Sequence, residues 1–174
     1  MNTKHKSVAG LGVAALFAVA VLPLATGAAS ANPSDQPCDV SDLVVSVTKD
    51  PYSSAGQEAF VLHYNAAGPD TNCKLQGVPT GVTFTKGSGH GEGDGSGITV
   101  VPDNPNSDPA PVNVQPGKDA ESRILMSSQE PVSFQPDVVN LNIPAENGHT
   151  TTVTWPDDEP LRGSEVEVTD VSQS

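Results

Sequence analysis

Glu58-Ala-Phe-Val-Leu-His-Tyr-Asn65 decides the fold. Phe60, Leu62 and Tyr64 fall on one face of an extended chain and Val61, His63 and Asn65 on the other, the period of two expected of a strand with one buried side. Asp42 to Val47 alternates in the same way, with Leu43, Val45 and Val47 on one side, and Pro51 to Gly56 supplies a turn between the two runs. Further strands follow at Val82 to Thr85, Ile98 to Val101, Val112 to Val114, Ala120 to Ser127, Val138 to Ile143, Thr150 to Trp155 and Glu165 to Val171. Some eight or nine short strands with almost no three-four apolar spacing imply an all-β fold, an immunoglobulin-like or Greek-key β-sandwich.

Three local readings refine this. Val82 to Thr85 and Ile98 to Val101 are expected to form a hairpin whose tip, Gly87 to Gly97, alternates Gly with other residues and is expected to be dispensable for folding. Gln115-Pro-Gly-Lys118 has the residue order of a type II turn. Asn147-Gly148 suggests a two-residue hairpin loop, but that register would set Ile143 against Thr152. An odd loop pairing Ile143 with Val153 and Leu141 with Trp155 is preferred.

The N-terminus reads as an export signal. Lys4 and Lys6 precede an apolar run from Val8 to Ala25, and Ala29-Ser-Ala31 is the small-x-small pattern of a cleavage site. Residues 1–31 are therefore expected to be a signal peptide of the general secretory route, 32–37 a short arm, 38–171 the sandwich and 172–174 a tail, with no stable membrane insertion after cleavage. Without Lys4 and Lys6 the chain sets 6 basic against 21 acidic side chains, a net charge of -15. Phosphate backbones and anionic lipid surfaces attract basic proteins, so nucleic acid is excluded as a partner. Export also places Cys38 and Cys73 where a disulfide persists, and a single bridge between them is expected.

Catalytic patterns are missing from the sequence: there is no Gly-x-Ser-x-Gly elbow, no His-Glu-x-x-His helix and no Gly-Lys-Ser phosphate loop. No catalytic, cofactor or metal residue is assigned. His63, His90 and His149 lie far apart in the chain. His90-Gly-Glu-Gly-Asp94 offers an imidazole and two carboxylates, yet a calcium β-roll needs tandem copies of such a unit and only one occurs. Asp157-Asp-Glu159 reads as a solvated acidic turn, and Trp155 as the main core aromatic.

Phe60-Val-Leu-His-Tyr-Asn65, Asn72-Cys-Lys-Leu-Gln-Gly-Val-Pro79 and Val112-Asn-Val-Gln-Pro-Gly117 together resemble the actinobacterial domain-of-unknown-function family 4232. Cys73-x-Leu75-x-Gly77-x-Pro79 before an apolar strand is the sharpest match, and the resemblance spans roughly residues 38–171. It implies an actinobacterial source, an extracellular or cell-envelope setting and a single β-sandwich domain, with no activity to carry over. Many relatives have a second cysteine pair in the later half, which is absent here. A non-enzymatic monomer acting by contact with an envelope protein or glycan is the expected function. The alternatives are a secreted hydrolase or metal-dependent enzyme, or an acidic metal-buffering protein.

Overall fold

Two sheets face each other across a core assembled from the alternating residues of their inner sides. The computed structural model describes residues 36–52, 54, 56–87, 94–146 and 148–174. The expected export signal at 1–31, His90, Glu92 and Asn147 lie outside the described residues. The larger sheet contains β1 (Leu43–Lys49), β2 (Gln57–Ala66), β7 (Ala120–Ser127), β12 (Glu165–Val168) and β5 (Thr99–Pro102), in that order, with β13 (Ser172–Gln173) also pairing with β7. The smaller sheet has the order β10 (Thr150–Thr154), β9 (Val138–Asn142), β4 (Thr80–Thr85). Two minor ribbons complete the sandwich: β3 (Cys73–Leu75) with β6 (Val112–Val114), and β8 (Val132–Phe134) with β11 (Leu161–Arg162). The described residues contain no α-helix, only 3-10 turns at Val40–Asp42 and Asp94–Gly97. None of their helices is long and apolar enough to cross a membrane.

The fold is thus the expected all-β sandwich, divided more finely than the eight or nine expected strands because several segments of two or three residues also pair. Phe60, Leu62 and Tyr64 are fully buried, and Ile124, Val166 and Val168 continue their face across β7 and β12. Val82, Phe84, Val139, Leu141 and Val153 form the opposing wall. Trp155, 2% exposed, packs against a ring from each sheet, with centroids 4.3 Å from Phe60 and 5.4 Å from Phe84. Its Nε1 donates to the Glu159 carbonyl at 2.7 Å, so the buried indole leaves no unpaired donor. The core reading of Trp155 therefore stands.

Cys38 and Cys73 are bridged, with Cα atoms 4.8 Å apart. The segment before β1 runs parallel to β3 there: the Cys38 amide donates to Lys74 and the Lys74 amide to Gln36, each at 3.0 Å. Gln36 and Pro37, the last two residues of the expected arm, lie along this contact. In the expected tail, Ser172 and Gln173 align with Glu121 and Ala120 on β7 and the Ser174 amide donates to the Asp119 carbonyl.

The expected hairpin across residues 87–97 does not form. β4 pairs with β9, whereas β5 runs parallel to β12 in the other sheet, so the connection crosses between layers. Its end is packed: a Cβ on Gly95 would lie 2.2 Å from the Phe84 carbonyl oxygen and 3.2 Å from the Phe134 ring. Gly95 is therefore docked against the fold, where the sequence alone suggested a free loop tip.

The β9–β10 connection keeps the odd parity but moves the register by four residues: Val153 faces Val139, and Trp155 donates its amide to Asp137. The reason is side-chain pairing on the outer face. Thr150 and Thr152 donate to the amide oxygens of Asn142 and Asn140, each at 2.7 Å, which matches hydroxyls to carboxamides instead of to apolar groups. Gln115 and Lys118 exchange two backbone bonds around Gly117 at φ 78°, the expected type II turn.

Candidate functional site

Alternation along the larger sheet turns one set of side chains away from the core. Thr48, Val61 and Arg123 follow one another across β1, β2 and β7, and Ser46, His63 and Glu121 form the adjacent row. Ala59 and Val61 make a buried apolar floor among these polar groups. Arg123 sits centrally. Its guanidinium donates to Asp50 Oδ2 at 2.6 Å and to Glu121 Oε1 at 3.1 Å, while its backbone amide donates to Thr169 Oγ1 at 2.9 Å. The hydrogen bond to Glu121, with the nearby Asp50 charge, raises the arginine's already high pKa and holds it as a fixed cation.

Asp50 is the buried member of this cluster. The chain turns sharply after it: its amide donates to the Ala59 carbonyl and its Oδ1 accepts the Tyr52 amide at 2.8 Å. That turn leaves Tyr52 projecting at 88% exposure, beside a face that is otherwise short and polar. An open cavity of about 420 Å³ adjoins it, lined by Gln57, Ser127, Glu130, Gly163, Glu165 and Glu167. The arrangement presents hydrogen-bond donors and acceptors over a nearly flat area, with one aromatic side chain at the turn.

The two histidines among the described residues lie apart. His63 lies on this face with Nε2 2.8 Å from Thr48 Oγ1, and His149 pairs through Nδ1 with Asp39 Oδ2 at 3.0 Å on another part of the surface. Asp39 is held below the ordinary carboxylate pKa, first by the Ser41 amide and hydroxyl and to a lesser degree by His149. Among the described residues no three His, Cys, Asp or Glu side chains are placed to hold a metal ion.

The acidic turn at 157–159 is only partly solvated: Glu159 pairs with Lys49 at 2.7 Å and supplies the carbonyl that receives Trp155. Sequence reading missed the Asp50–Arg123–Glu121 cluster, whose members are 73 and 2 residues apart and share no motif. It also missed the buried Tyr64–Ser122 hydrogen bond of 2.9 Å. Burial raises the Tyr64 phenol far above its ordinary value, with Ser122 opposing only in part.

Compared with known proteins, residues 38–173 match the model of a domain of unknown function, DUF4232. No curated protein matches the chain, and no solved structure does.

Proposed function

The chain belongs to the domain-of-unknown-function family DUF4232, and from that premise we propose that it is a non-enzymatic, secreted or envelope-associated binding module that contacts a glycan through the outer face of its larger sheet. The observation that carries this reading is the exposed Tyr52, whose backbone amide shares the Asp50 carboxylate with a fixed Arg123. An exposed ring offers a flat apolar surface to a sugar face, while a charged fork and carboxylates suit its hydroxyls. Secretion is supported by the signal-like first 31 residues and by the Cys38–Cys73 bridge, which suits an oxidising compartment. The monomeric state and the actinobacterial envelope setting belong to the same reading.

Retention on insoluble cell-wall glycan, compared between the wild type and Tyr52→Ala, tests it. We expect the wild type to be retained and the variant to bind at least about fivefold more weakly, since loss of a stacking ring costs about 1 kcal/mol or more. Equal retention of both proteins would refute the site. Turnover of the glycan, or activity that depends on an added metal, would establish the enzyme instead.

A further inference from the structure

A second surface lies where both sheets end on the same side. Val78, Pro79 and Val82 on one wall and Ile98, Val100 and Val168 on the other enclose a groove of about 450 Å³ whose lining holds no charged side chain. Val82 and Val168 are buried, and Ile98 and Val100 are half-buried against the core. Both walls are strand edges, because β4 is the last strand of the smaller sheet and β5 the last on the path of the larger one.

The backbone of β5 narrows the choice of occupant. Thr99 donates its amide to Ser164 at 2.8 Å and Asp103 donates to Val168 at 2.9 Å, so the amides of this parallel pair turn toward β12 at alternate residues. Val100, between them, turns its N–H and C=O to the open side of the edge, and among the described residues no other backbone group receives or supplies these bonds. Covering such groups without pairing them leaves them desolvated and unsatisfied, which is costly. An acyl chain would incur that cost, whereas a polypeptide strand removes it.

We infer that this groove receives an extended strand from a partner protein, which pairs with the β5 edge at Val100 and sets alternate apolar side chains between Val82 and Ile98. Pro102 has no amide hydrogen and limits the pairing to the first residues of β5, so side chains supply most of the affinity. The ends of the strand carry Lys or Arg. Asp103 follows the groove directly, and the whole chain carries -13. A second copy would bring like charge to the same place. This inference goes beyond the glycan reading and concerns a separate surface.

Selection of random 12-residue peptides displayed on phage against the disulfide-bonded protein tests it. Enriched peptides are expected to alternate apolar residues between basic ends, to bind saturably and to slow hydrogen exchange at Val100 at least tenfold. N-methylation of alternate backbone nitrogens, which keeps the side chains but removes donors, is expected to weaken binding at least tenfold. The Tyr52→Ala protein is expected to bind them unchanged, which separates a failure here from a failure of the glycan site. No enrichment, a footprint away from residues 78–82 and 98–102, undiminished binding after N-methylation, or dodecanoate occupying the groove where peptides do not, would each overturn the inference.

Discussion

β1 and β2 are consecutive strands joined by seven residues and paired along seven positions; β4 and β5 are also consecutive, joined by thirteen residues, and never pair. Both pairs carry apolar alternation and both have Gly in the connection. The difference lies in what each strand finds opposite it. Val47 meets Leu62 and Val45 meets Tyr64 on the core face of β1–β2, so the nearest strand in the chain is also the best match. β4 instead sets Phe84 against Val139, and β5 sets Val100 beside Val166, in two different layers. Local pattern identifies a strand; the partner is chosen by the competition among all strands to bury their apolar faces.

The most severe test of this contrast replaces residues 86–98 with a two-residue Asn-Gly turn. Packed sheets lie about 10 Å apart, a distance that such a turn cannot span between strands in different layers, so we expect loss of the cooperative unfolding transition by circular dichroism. Shortening the 51–56 turn between β1 and β2 is expected to cost about 1 kcal/mol or less, because the paired strands already end close together. If the 86–98 replacement instead melts like the wild type, β4 and β5 can form a hairpin and the contrast disappears.

Next in size is the disulfide. Changing Cys38 and Cys73 together to Ala should destabilise the domain by about 3–4 kcal/mol, the chain-entropy value for a loop of this length, read as a lower denaturant midpoint with a steeper slope, because the unbridged unfolded chain exposes more surface. A smaller effect comes from Gly95→Ala, where the new methyl meets the Phe84 carbonyl and the neighbouring turn must shift. Overpacking of that kind costs about 1–3 kcal/mol, and a neutral result would show that the crossover end is not docked as described.

The smallest effect is a pH dependence. Asp39 and Asp137 are both held below the ordinary carboxyl pKa of 3.8, chiefly by the amides of Ser41 and Gly87 respectively. Each therefore stabilises the folded state above its unfolded pKa, and this contribution is lost as the pH falls through the lowered folded value. Denaturant midpoints should drop between pH 5 and pH 3, and Asp39→Asn should make that drop shallower. An unchanged slope would remove Asp39 from the account.

By itself the sequence determined what depends on near neighbours. Alternation around Phe60, Leu62 and Tyr64 made β2 a strand with one buried face, Pro116-Gly117 required a type II turn, and a lone cysteine pair left one bridge to form. The paired strands, the φ of Gly117 and the Cys38–Cys73 bond all agree. Tertiary structure alone decided strand partners and register. A shift by an even number of residues keeps every side chain on its own face, so the pattern in 138–155 fits two registers equally well until Asn140 and Asn142 are placed against Thr152 and Thr150. The Arg123 cluster was invisible for the same reason. Asp50 follows the end of β1 and Arg123 lies on β7, with β2 between them, and only the pairing of β1 with β2 and of β2 with β7 brings a carboxylate to a guanidinium 73 residues away.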